Sequence, residues 1–360
     1  MSSKENFKSA LHVQEGINEP DSINPYLDFS KVKRKRVYTV EEYLKGILAG
    51  DRVLLSQAIT LIESSNPRHY ATAQALIEEC LPYANNSIRI GITGVPGVGK
   101  STFIESFGKY VTTLGHKLAV LAIDPSSQRY KGSILGDKTR MEALSVDENA
   151  YIRPSPSGAT LGGVARKTRE TIILCEAAGF DVILIETVGV GQSETVVKSM
   201  VDFFLLLMLA GAGDELQGIK RGIMEMADAF VITKADGDNV PRTEVAKTQI
   251  QSALHLFPPN ENDWIIPVTT CSAIENKDID KVWNIIEMFQ KQTKENGYFD
   301  LNRKEQWINI FYEWLENSLK ENFYSNPIVK AEIEKILPSI HSGRISPYQA
   351  GVKVLEKVLK

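Results

Sequence analysis

The sequence predicts an α/β fold, a mostly parallel sheet flanked by helices, with helical segments before and after it. Three observations predict it. Short apolar runs rich in β-branched residues recur at 88–93, 118–123, 182–186, 203–209, 229–233 and 264–268. The stretches between them carry helical spacing, and strands this continuously apolar belong to a parallel sheet covered on both faces. A glycine-rich octapeptide follows the first run, where the carboxyl ends of such strands bind ligands.

The elements follow in order. Residues 1–38 are polar, lack sustained periodicity and are expected to form a flexible N-terminal segment. Within them Lys31-Val-Lys-Arg-Lys-Arg36 is a short basic cluster in an acidic chain, and it reads as a solvated segment rather than a nucleic-acid patch. Residues 39–84 read as helical: Tyr43, Leu44, Ile47 and Leu48 share a face, then Leu55, Ala58, Ile59 and Ile62, then Ala73, Leu76, Ile77 and Cys80. Residues 85–295 are expected to be the nucleotide-binding core. Residues 296–360 return to helical spacing, with an apolar stripe of Trp307, Ile310, Phe311, Trp314 and Leu315.

Composition excludes several classes. The 360 residues are 43% hydrophobic and 24% charged, with 41 Lys and Arg against 45 Asp and Glu. A net charge of −4 gives no global reason to bind nucleic acid or an anionic membrane. The longest strongly apolar run, 203–210, is far short of the roughly 20 residues of a membrane span. Three scattered cysteines (Cys80, Cys175, Cys271) argue against a disulfide framework, and the N-terminus has no apolar targeting core, so a cytoplasmic protein is expected. No Cys or His pair has metal-ligand spacing.

Gly94-Val95-Pro96-Gly97-Val98-Gly99-Lys100-Ser101 matches G-x-x-x-x-G-K-[ST] at every position, and Thr102 continues into the predicted helix. Backbone N–H groups of such a loop cradle phosphate oxygens, and the helix adds the positive end of its dipole. Lys100 is expected at the β- and γ-phosphates and Ser101 at Mg²⁺. Asp124 and Glu186 close predicted strands and Asp137 follows in a loop, so all three are candidates near Mg²⁺, which prefers oxygen ligands. Gly189, three residues beyond Glu186, is placed to sense the γ-phosphate through its N–H. Thr233-Lys234-Ala235-Asp236 stands where GTPases carry Asn-Lys-x-Asp. Asp236 suits guanine N1–H and the 2-amino group, and Lys234 can lie along the base. Thr233 in place of Asn removes a side-chain amide. Ser272, Ala273 and Ile274 follow the next predicted strand, where a backbone N–H of Ser272 or Ala273 is a candidate donor to guanine O6. No residue stands out as the water-positioning group; Gln192 and Arg140 are the candidates.

These motifs, with Asp124-Pro-Ser-Ser127, Gly132-Ser-Ile-Leu-Gly-Asp-Lys-Thr-Arg140, Arg153-Pro-Ser-Pro-Ser-Gly158, Glu186-Thr-Val-Gly-Val-Gly-Gln-Ser-Glu194 and Gly211-Ala-Gly-Asp-Glu-Leu-Gln-Gly-Ile-Lys220, resemble the MeaB/ArgK family of P-loop GTPases. The resemblance runs from about residue 40 to the C-terminus. It implies a GTPase of low intrinsic turnover, using GTP/GDP and Mg²⁺, that chaperones an adenosylcobalamin-dependent acyl-CoA mutase, most plausibly methylmalonyl-CoA mutase. It implies metal-site roles for Ser101, Asp124, Asp137 and Glu186, and a third switch at 210–220 with Asp214, Glu215 and Lys220 as relays to the partner; the catalytic candidates, read from the motifs themselves, are Lys100, Glu186 and Gln192. A homodimer through the C-terminal helices is implied, with an intramolecular core face as the other account of the aromatic stripe; no tightly bound cobalamin is expected. The alternatives are a kinase of the ArgK type, a nucleotide-dependent scaffold, and a nickel-insertion GTPase, the last opposed by the missing His and Cys clusters.

Overall fold

The computed structural model describes residues 38–123, 141–154, 161–187, 193–211, 221–258, 260 and 262–358. Contacts divide the chain into Met1–Thr39 and Val40–Lys360, and the elements named below belong to the second unit. Its strands are β1 (Ile88–Gly94), β2 (Leu118–Ile123), β3 (Ala150–Arg153), β4 (Val182–Thr187), β5 (Phe203–Met208), β6 (Ala229–Ile232) and β7 (Val268–Thr270). They form one sheet in the order β3-β2-β4-β1-β5-β6-β7, every pair parallel. β1, β2, β4, β5 and β6 are buried along their whole length, which is why they read as near-continuous apolar runs.

Successive side chains point to opposite faces, so each strand feeds two cores. Phe203, Leu205 and Leu207 meet Phe103 and Phe107 of α4 (Lys100–Thr113, the fourth helix) and Trp283 and Phe289 of a later one. Leu206 and Met208 pack with Met224, Phe230, Ala246 and Ile250. Before the sheet come α1 (Val40–Leu48), α2 (Arg52–Glu63) and α3 (Pro67–Cys80). Asp51 caps α2 by accepting from the Val53 and Leu54 N–H groups, and Asn66 caps α3 ahead of Pro67. Between and after the strands lie α5 (Glu142–Ser145), α6 (Leu161–Ala177), α7 (Ser193–Lys198), α8 (Arg221–Met226), α9 (Val240–Leu254) and α10 (Ile279–Glu295). The chain then continues through α11 (Tyr298–Ser325), α12 (Pro327–His341) and α13 (Pro347–Val358). Among the described residues no helix is long and apolar enough to cross a membrane.

Two expectations are corrected. The run 264–268 is not a strand: only Val268 enters β7, and Pro267, which has no N–H to give a ladder, stands just before it. Trp264 is apolar for a different purpose, filling the core while its indole N–H donates to Asp228 O at 2.7 Å. The edge strand β3 was missed because four residues, Ala-Tyr-Ile-Arg, carry too little pattern.

The long helix α11 grips the turn that joins α7 to β5. Gln306 donates to Val201 O at 2.8 Å, and Arg169 of α6 bridges Glu313 (2.7 Å) and Ser199 (2.8 Å). The stripe Trp307, Phe311, Trp314 and Leu315 is exposed in the single chain, with Phe311 57% accessible, and an amphipathic groove of about 870 Å³ runs between α11, α6 and α3.

Candidate functional site

The register of the sheet brings the strand ends to one edge. Gly94 stands opposite Leu207, Thr187 opposite Ile123, and Ile232 opposite both Met208 and Thr270. The octapeptide leaves β1 in the middle of this edge, with the chain turning left to β2 and later right to β5, the kind of crossing point at which doubly wound sheets bind ligands.

Its backbone explains its glycines. A Cβ on Gly94 would lie 2.6 Å from Leu207 O, a backbone atom that cannot yield. Gly99 turns into α4 at φ +91°, a conformation costly for residues with a Cβ. Val98 is buried and its N–H donates to Val95 O at 3.2 Å, while Pro96 and Gly97 face solvent. Lys100 and Ser101 open α4 half-buried, and Thr102 is exposed. The Lys100 ammonium donates to Gly94 O at 2.7 Å. Burial pushes Lys100 below the ordinary lysine range, against the pull of Glu186 and Glu194 in the other direction.

Glu186 is buried near the end of β4, opposite Ile92, and Glu194 is buried in the first turn of α7. Between the strands Thr187 Oγ1 donates to Thr93 Oγ1 at 2.9 Å. Among the described residues no three His, Cys, Asp or Glu side chains converge to hold a metal ion. Ser101 and Glu186 supply only hard oxygen donors, a set that fits a Mg²⁺ held mainly by phosphates and waters. Asp124, Asp137, Arg140, Gly189, Gln192, Asp214, Glu215 and Lys220 lie outside the described residues.

The residues expected at the base come together behind the phosphate loop. Thr233 is buried at the end of β6 and its hydroxyl donates to Val98 O at 2.8 Å. Lys234, at φ +60°, crosses to Gly97 O at 2.9 Å, and Asn239 donates to Lys234 O at 2.7 Å. Asp236 Oδ2 accepts from the Ser272 hydroxyl at 2.6 Å. The Ser272 N–H is committed to Lys277 O at 3.0 Å, which leaves the Ala273 N–H as the other candidate for guanine O6; Ile274 is exposed. Ser106 of α4 donates to Asn276 Oδ1 at 2.6 Å and ties this second loop to the helix of the first. Sequence reasoning did not single out Asn239, Ser106 or Asn276, whose only signal is small polar character beside a motif. Nor did it draw out Glu194, whose signal was an acid opening the helix that follows 188–192.

A parallel sheet of this order, with a full G-x-x-x-x-G-K-[ST] loop at its centre and the Thr233–Asp236 loop beside it, defines a P-loop nucleoside triphosphatase. The family described as methylmalonyl Co-A mutase-associated GTPase MeaB matches residues 55–328, and the chain belongs to it. A probable GTPase of Mycobacterium tuberculosis is 47% identical over 318 residues, 88% of this chain and 95% of its own. GTPase ArgK of Escherichia coli is 42% identical over 322 residues, covering 89% and 97%. The mitochondrial methylmalonic aciduria type A homologue of Mus musculus is 44% identical over 327 residues, covering 88% and 79%. A crystal structure of a LAO/AO transport system kinase, 36% identical, superposes with a TM-score of 0.74 over 91% of this chain and all of the other. The chain is a GTPase of the MeaB family.

Proposed function

We propose that this GTPase chaperones an adenosylcobalamin-dependent acyl-CoA mutase, with methylmalonyl-CoA mutase the foremost client, gating cofactor loading and protecting the mutase. The observation that carries the proposal is the match over 55–328 to a family named for its association with that mutase. The relative named for methylmalonic aciduria supports it.

In this reading the 94–99 backbone cradles the phosphates of GTP. Lys100 leaves Gly94 O for the β- and γ-phosphates, where its charge offsets what develops as the γ-phosphoryl passes to water, giving GDP and phosphate. Ser101, Glu186, Asp124 and Asp137 hold Mg²⁺ directly or through water; when bound, the ion neutralises charge on the phosphates. Gln192 orients the attacking water, and Asp236 with Ser272 reads guanine. Gly189 and the relays Asp214, Glu215 and Lys220 report the nucleotide to the mutase. The exposed stripe on α11 supports a homodimer through the C-terminal helices, since large apolar faces mark interfaces.

The test is GTP and ATP hydrolysis with and without purified methylmalonyl-CoA mutase, together with co-elution of the two proteins. Stimulated GTP turnover and a shared elution peak are expected. No binding to, or stimulation by, any acyl-CoA mutase sinks the partner. Likeness to a protein called a transport system kinase favours a second reading, phosphoryl transfer to protein. Release of all γ-phosphate as inorganic phosphate excludes it.

A further inference from the structure

Thr233 occupies the place where a side-chain amide was expected, and the structure shows what its hydroxyl does instead. A threonine hydroxyl carries one proton to donate. Here that proton goes to Val98 O of the phosphate loop at 2.8 Å, with Met208 O further off at 3.3 Å. The side chain is 2% exposed, so no water replaces either contact. Several of the donors around it are engaged as well. The Thr233 N–H goes to Met208 O, the Ala235 N–H to Cys271 O and the Ser272 N–H to Lys277 O. The Ser272 hydroxyl goes to Asp236 and the Lys234 ammonium to Gly97 O.

Guanine offers acceptors, N7 and O6, on one edge and donors, N1–H and the 2-amino group, on the other. An acceptor such as N7 needs a proton, and Thr233 has none left to give. We infer that Thr233 is a positioning residue that fastens the base-reading loop to the phosphate loop, and that the site recognises guanine through Asp236 while leaving N7 unread. The ligand class is therefore wider than guanine nucleotides proper and includes those whose N7 is replaced by carbon. The inference rests on the guanine reading under Proposed function.

The experiment is displacement of a fluorescent guanine nucleotide from the full chain by GTP, 7-deaza-GTP and ATP. The native protein, Thr233→Val, Thr233→Ser and Thr233→Asn are compared, each checked by its melting curve. The native protein should bind GTP and 7-deaza-GTP within about twofold of each other. Thr233→Val keeps the shape but leaves a buried carbonyl unpaired, and should weaken both nucleotides equally, by about tenfold. Thr233→Ser should restore binding. An asparagine amide has two protons, one for Val98 O and one to spare; Thr233→Asn should gain about a fivefold preference for GTP over 7-deaza-GTP.

A tenfold preference for GTP in the native protein would overturn the inference. So would unchanged affinities in a folded Thr233→Val, or no new preference in Thr233→Asn. If Thr233→Val does not fold, the native comparison and Thr233→Asn decide. Equal affinity of the native protein for ATP and GTP is a separate result: it removes the guanine reading itself and the inference with it.

Discussion

Arg303 of α11 and Asp202 at the foot of β5 form a two-pronged ion pair, Nε to Oδ1 at 2.8 Å and Nη2 to Oδ2 at 2.6 Å, with both side chains buried. Around it Arg303 also donates to Asn85 O and Ser87 O, the Arg89 N–H donates to Asp202, and the Arg89 guanidinium pairs with buried Glu176. Four charges alternate in sign, and each has a partner. Breaking such a pair from one side leaves a buried charge uncompensated and costs about 3–5 kcal/mol. Arg303→Ala should lower the stability read from urea unfolding by that amount, and Arg303→Lys, which keeps charge but loses the fork, by less.

Lys100→Ala should remain folded and lose GTP hydrolysis by about a hundredfold or more, the scale of losing one charge-stabilising donor. Its ammonium is held in the fold by a hydrogen bond to Gly94 O at a half-buried position, a modest contact to lose. Phosphate release and a circular dichroism spectrum check the two halves of the prediction.

Asp147 holds α4 to the approach of β3. Its carboxylate accepts from Lys109 at 2.7 Å, Thr112 at 2.8 Å and the Asn149 N–H at 2.8 Å, and the Lys109 contact does most to hold its pKa at about 2. A carboxyl depressed in the folded state contributes stability above its unfolded pKa, near 4, and loses that contribution as pH falls toward 2. Asp147→Asn should therefore be less stable than the native protein at pH 6, and the gap should close between about pH 4 and pH 2. Unfolding curves across that range measure it.

All three cysteines are free and buried. Burial pushes Cys80 and Cys271 up to about 12 and raises Cys175 as well. Thiolate is the reactive form. A thiol reagent at pH 8 should find none of the three in the native protein within minutes, and all three in denaturant.

The sequence made the centre of the site legible because the fixed positions of the phosphate loop, Gly94, Gly99, Lys100 and Ser101, each answer a demand within one eight-residue span, as the geometry at Gly94 and Gly99 shows. The strands through the middle of the sheet were legible because burial on two faces leaves few polar positions to blur the run. Legibility fails where a residue's role depends on a distant partner. Trp264 looks like strand because it is apolar, yet its place is set by Asp228 O. The commitment of the Ser272 N–H depends on a turn in which Asn276 and Asp278 take positive φ, at +50° and +61°, and neither is glycine. Thr233 read as the loss of an amide; only its position 2.8 Å from Val98 O turns it into a tether.

The grip of α11 on the turn before β5 also orders events in time. Val201 and Asp202 find their partners 105 and 101 residues later in the chain. At a synthesis rate of about 5–20 residues per second, those partners leave the ribosome on the order of 5–20 s after the turn itself. Through that interval Asp202 has the Arg89 N–H but no cation, and Val201 O lacks its amide donor. The GTPase core of a nascent chain is completed from its far end.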